Sequence, residues 1–105
     1  MILYLSAPMT GIKDMNRPAM MAAEKALKRA GYQVINPARL PPGKTWTWYM
    51  TRALKGVEKA QGFANLEGWL GSSGCLIEWQ AALFHGKKVG RVSDWIKAAT
   101  GEAQP

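Results

Sequence analysis

The chain opens on an apolar run over residues 1–5 that stops at Ser6-Ala7-Pro8. That length, ended by a turn residue, suits a buried strand and is too short for a helix. From Arg17 the period changes. Pro18 fits a first helical turn, and Met20, Met21, Ala23, Ala26, Leu27 and Ala30 recur at intervals of three and four until Gly31 supplies a stop. Residues 32–35 are rich in β-formers and close on Asn36-Pro37, after which Pro41-Pro42-Gly43 makes a rigid loop. Thr45 caps a second predicted helix with Trp46, Tyr49, Met50, Ala53, Leu54, Val57 and Ala60 on its apolar side and Arg52, Lys55 and Lys59 on the other. Residues 62–66 read as a short buried strand in which Asn65 is an awkward polar member, followed by a turn over 67–71. Ser72 and Ser73 can cap a third helix with Leu76, Ile77, Trp79, Ala82 and Leu83 facing inward and Gly86 ending it. Residues 87–92 give a last strand, and Ser93-Asp94 can cap a short final helix.

Strands alternating with helices at this spacing require parallel pairing through right-handed crossovers. The expected fold is therefore α/β, a three-layer, Rossmann-like sandwich with a mainly parallel sheet of four or five strands, the first one central, and helices on both faces. Residues 1–98 form one domain and 99–105 a polar tail. Ligands of such sheets bind beyond the carboxyl ends of the strands, where residues 6–11, 36–46 and 67–74 should converge.

Composition narrows the partners. With 105 residues, 48% apolar and 20% charged, the chain is long enough for one core and too apolar for a disordered segment. Fourteen Lys and Arg against seven Asp and Glu leave a net charge of +7, which favours phosphate-bearing partners. The single Cys75 cannot form an internal disulfide, and with only His85 beside it there is no ligand set for zinc. No metal or cofactor is expected, and a reducing cytoplasm fits. The opening MILYLSAPMTG has the character of a strand and lacks the basic start of a leader. No window approaches the roughly 18 apolar residues of a membrane span, so no membrane partner is expected.

The stretch with most chemistry is residues 68–78. Glycines and serines at a helix start present backbone N–H groups and hydroxyls to one point, as phosphate sites do. Glu78, four residues after Gly74, shares the face of that mouth. On spacing alone, a capped helix carrying one solvated Glu explains the same string.

Motifs elsewhere in the chain change the weight. Tyr4-Leu5-Ser6-Ala7-Pro8-Met9-Thr10-Gly11, Asn36-Pro37, Trp48-Tyr49-Met50, Gly68-Trp69 and Ser72-x-Gly74-x-x-x-Glu78, in this order over residues 1–92, resemble the nucleoside 2-deoxyribosyltransferase-like family. The likeness is to a small branch of unassigned function found in phage genomes and prophages. The resemblance implies a compact α/β protein acting on nucleosides or nucleotides by N-glycosidic cleavage or transfer. In it Glu78 attacks the anomeric carbon and Tyr4 reaches toward that nucleophile. By the same resemblance Ser72 and Gly74 hold a 5′-phosphate or sugar hydroxyl, and Ser6, Pro8, Met9, Thr10 and Gly11 line the sugar and phosphate side. Relatives are oligomeric, so a homodimer or larger homo-oligomer is expected.

This sequence also departs from the family pattern. Ala53 stands where relatives carry an aspartate on the middle helix, Gln61 where they carry one before the third strand, and Ser73 where an Arg is frequent. A second reading is therefore a nucleotide-binding or sequestering protein with impaired catalysis. A third, from charge alone, is a nucleic-acid-binding accessory protein, with Arg52, Lys55 and Lys59 on one helix face. Trp46, Trp48 and Trp69 fall in or beside the ligand loops, where stacking on a base would be natural and Trp69 is expected to touch substrate. Core packing and subunit contact are the competing explanations. His85 is expected at the surface or as a cap, and Met15, Met20 and Met21 as core filler.

Overall fold

The computed structural model describes residues 1–101. Four parallel strands lie in the order β2-β1-β3-β4: β1 (Ile2–Ser6), β2 (Gln33–Ile35), β3 (Gly62–Asn65) and β4 (Lys88–Arg91). Helices α1 (Arg17–Arg29), α2 (Trp46–Lys59), α3 (Ser73–Phe84) and α4 (Val92–Ala99) make the connections and the final element. The fold is the expected three-layer α/β sandwich, with β1 in the sheet interior. Residues 102–105 of the expected tail lie outside the described residues, and α4 runs to Ala99, one residue past the expected domain end.

Strand alternation builds two half-cores. Leu3 and Leu5 of β1 pack on one face with Met20, Ala23 and Leu27 of α1 and Trp95 of α4. Tyr4 points to the other face, with Phe63, Ala53 and Val57 of α2 and Ala82 of α3. Gly62 permits the close seam between β3 and α4, because a Cβ there would lie 2.7 Å from both Leu3 Cδ2 and the Trp95 ring. Trp95 donates its indole N–H to the Phe63 carbonyl, 3.0 Å away.

Two details differ from the sequence reading. Helix α3 turns Cys75, Glu78 and Ala82 inward, leaving Ile77 and Leu83 38% and 50% exposed. The helix is apolar on nearly every side, so periodicity could not tell which side meets the sheet. At α4 the cap is formed by Asp94, whose carboxylate accepts from the Arg91 backbone N–H at 3.0 Å, and Ser93 is exposed inside the helix.

Candidate active site

Ser72 caps α3 by accepting from the Cys75 backbone N–H at 3.3 Å, which fixes where the helix starts. Six residues after the cap, Glu78 lies against β1. Tyr4 Oη donates to Glu78 Oε2 at 2.6 Å, and Ser6 Oγ donates to Oε1 at 2.7 Å. Tyr4 and Ser6 are two apart on β1, so one strand aims both hydroxyls at one carboxylate. Each carboxylate oxygen keeps lone-pair capacity beyond the bond it accepts. The Tyr4 ring stacks on Phe63, with centroids 5.8 Å apart and planes 18° from parallel.

Burial of Glu78 raises its pKa above the usual carboxylate range, and the bonds from Tyr4 and Ser6 oppose that rise without cancelling it. Tyr4 is held well above its usual value, first by burial and then by the charge of Glu78, so it stays a hydroxyl donor. Burial likewise raises Cys75, which keeps it a thiol at neutral pH.

Glu78 opens into a cavity of about 680 Å³ at the carboxyl edge of the sheet. The three expected segments meet there: Ala7 to Thr10 from the first, Pro37, Leu40 and Trp46 from the second, and Glu67, Gly68 and residues 71–74 from the third. Helix α2 adds Tyr49, Met50 and Ala53. Among the described residues no Lys or Arg side chain lines the cavity. An anionic group there would meet the backbone N–H groups of Ser73 and Gly74, which precede the first intrahelical bonds of α3.

Pro8, Met9, Thr10, Ser72, Gly74 and Glu78 line the cavity as expected. Ser6 does not: it is fully buried, and its hydroxyl positions Glu78 where a sugar contact was expected. Tyr4 is buried too and reaches the cavity only through Glu78. Gly11 sits outside the lining in an exposed turn with φ +80°. Trp69 also lies outside it, in a second cleft across the turn at Glu67 and Gly68, packed on Trp79 at 5.6 Å between ring centroids. Gln61 belongs to the opposite, amino edge, where its Oε1 accepts from the Ile2 N–H at 2.8 Å, so an aspartate missing there takes nothing from the cavity.

Sequence reading missed Met15 and Asn16 as cavity residues. They belong to a turn in which Asp14, Met15 and Asn16 all adopt left-handed backbone, with φ of 55°, 53° and 61°. Asn16 Nδ2 donates to the Pro8 carbonyl at 2.9 Å and ties this turn to the β1 loop. Asp and Asn tolerate that conformation, but Met15 between them does not signal it. The solvent side of α2 carries Trp48 with the Arg52 guanidinium 3.7 Å above its ring, so this tryptophan is engaged outside the cavity.

Residues 1–91 match the family described as a domain of unknown function, DUF4406. The chain belongs to that family. No curated protein matches it. The span of the DUF4406 match contains every residue that lines the Glu78 cavity and ends with β4, leaving α4 outside. Among the described residues no three His, Cys, Asp or Glu side chains gather as a metal site, and no helix is long and apolar enough to cross a membrane.

Proposed function

We propose that this protein handles nucleosides or nucleoside phosphates by N-glycosidic cleavage or transfer, with Glu78 as nucleophile. The observation that carries this reading is a buried carboxylate bonded at both oxygens by Tyr4 and Ser6 and facing a cavity large enough for a nucleoside. Glu78 attacks the anomeric carbon while the carbon–nitrogen bond breaks, and the electron pair leaves with the base, which takes up a proton. The resulting glycosyl ester is released by water, or by a second base in a transfer. Tyr4 and Ser6 fix the rotamer of the nucleophile and stabilise its charge before attack and again as the ester is cleaved. This reading rests on the motif resemblance and on the chemistry of the carboxylate together.

Ala53 supports a second reading, a binder with little turnover. It lines the same cavity without an acidic group, so the departing base lacks a proton donor from α2. General acid assistance is typically worth about 10²–10⁴-fold. Free-base release from a panel of ribo- and deoxyribonucleosides and their phosphates tests both. Wild type should release base, Glu78→Gln should not while keeping ligand affinity within a few-fold, and Ala53→Asp should raise turnover. Binding with no base from wild type or Ala53→Asp would retire the enzyme reading and leave the sequestering one. The proposal includes a homodimer, formed through the outer face of α3, where Leu83 is 50% and Phe84 87% exposed.

A further inference from the structure

The second cleft encloses about 530 Å³ and shares Glu67 and Gly68 with the Glu78 cavity, so the two are separated by a single turn. Gly68 makes that partition thin. Its φ is +88°, and a Cβ would come within 3.2 Å of Pro8 Cγ. Across the cleft, Trp69 and Leu70 stand on one side and Val92 and Ile96 of α4 on the other. Trp79 backs the Trp69 ring. Leu70 is 70% exposed, an apolar wall with no protein atoms packed over most of it.

The polar groups define what would fit between these walls. Asn65 lines the cleft, is only 4% exposed, and its Oδ1, itself closed to solvent, has no hydrogen-bond partner among the described residues. Buried amide oxygens are nearly always satisfied, and an unsatisfied one loses its hydration without compensation. A ligand N–H would restore it once the amide turns toward the cleft. Arg91, the cation on the rim, is already paired in two bonds of 3.0 Å to Asp94, while Glu67 contributes a carboxylate. The cleft thus favours donors and a flat apolar body over a phosphate.

We infer that this cleft is a second binding site, for a planar heteroaromatic ring bearing an N–H donor, such as an adenine-like base. The ring stacks between Trp69 and the α4 side chains and donates to Asn65. It belongs either to a separate molecule or to the second half of a dinucleotide whose first half occupies the Glu78 cavity. Occupancy of the cleft does not require Glu78 to react.

The test titrates adenosine and diadenosine diphosphate into the whole chain and follows the Trp69 indole N–H by NMR, that signal being assigned from its loss in Trp69→Leu. Two exposed serines allow separate occlusion, Ser93→Trp for the cleft and Ser73→Trp for the Glu78 cavity. Both ligands should shift the Trp69 signal, and Ser93→Trp and Asn65→Leu should weaken adenosine at that signal about ten-fold, the scale of one lost stack or base contact. Ser73→Trp should leave it unchanged. A dinucleotide bound more tightly than adenosine and weakened by both occlusions would identify one ligand spanning the two sites, and equal affinities would identify separate molecules. Either result upholds the ring site. Adenosine weakened only by Ser73→Trp, or no movement of the Trp69 signal up to about millimolar ligand, the weak end of specific affinity, would overturn it. Failure of the glycosidic reading shows separately, as ring binding without release of base.

Discussion

Glu78 is the residue whose charge state governs the proposed chemistry. It must be ionised to attack, and burial holds its pKa above the ordinary carboxylate range. The acid limb of kcat/KM should therefore lie above about pH 4.3, the ordinary glutamate value. Tyr4 and Ser6 donate to the ionised form, so removing either hydroxyl raises the pKa further. Tyr4→Phe and Ser6→Ala should each move the acid limb to higher pH with the plateau rate less affected. A carboxyl ¹³C titration of Glu78 should move in the same direction without any turnover. An acid limb that stays in place in both variants would show that the two hydroxyls do not act on this carboxylate.

Elements are held in position by a few close contacts, and these give the second set of expectations. Gly62 and Gly56 both allow close packing, at unequal distances. A Cβ at Gly62 meets Leu3 and Trp95 at 2.7 Å, whereas one at Gly56 meets the Tyr4 ring at 3.0 Å. Gly62→Ala should cost about 2 kcal/mol, near the middle of the range for overpacking. Gly56→Ala gains about 1 kcal/mol of helix propensity against its own strain, so its net effect should be smaller. Thermal melts of the two variants should rank them in that order. The β2–α2 connection is tethered by Glu24 of α1, which accepts from Arg39 Nε at 2.8 Å and pairs with Lys28 at 3.3 Å. These bonds, Arg39 first, lower the Glu24 pKa to about 2. Because the folded-state value is depressed, the stabilisation is complete above the unfolded value near pH 4.3 and is lost as pH falls toward about 2. Arg39 is largely exposed, so solvent screening leaves the tether about 1–2 kcal/mol. Glu24→Gln should lower stability by that amount at pH 7 and by little at pH 2.5, as urea melts at the two pH values would show. An equal loss at both would mean that the carboxylate's charge is not what matters.

At the scale of the whole molecule, the outer side of the α2/α3 layer is unusually apolar. Ile77, Leu83 and Phe84 of α3 and Leu54 of α2 are 38%, 50%, 87% and 37% exposed. Large apolar side chains left exposed on one helix layer commonly mark a contact between chains. Sedimentation at micromolar concentration should find a dimer, and Phe84→Glu should dissociate it with the far-UV spectrum unchanged. A wild-type monomer would remove the assembly proposal. The net charge of +7 supplies a separate check at this scale. Mononucleotide binding should weaken only modestly with salt, because few phosphates are engaged, whereas binding to oligonucleotides would fall with a slope that counts the contacts. Salt-steep oligonucleotide binding without mononucleotide affinity would instead favour the accessory-protein reading.

The alternation of short apolar runs with helical periods determined the α/β class, the parallel sheet and the convergence of three loops at its carboxyl edge, because parallel pairing leaves few other routes for the chain. The motif around Ser72, Gly74 and Glu78 was legible too, since Gly74 and Glu78, four residues apart, share a helix face whatever surrounds them. Three things depended on tertiary structure. Ser6 became a positioning residue because β1 is buried on both faces, which turns its side chain onto α3 instead of into the loop cavity. Trp69 passed to a second cleft because left-handed Gly68 reverses the chain just before it. The inward side of α3 was undecided by a sequence apolar on nearly all sides and was fixed by the hydroxyls of β1, which gave Glu78 two buried partners. Local pattern specifies elements and their order, while the role of a side chain depends on neighbours that are distant in sequence.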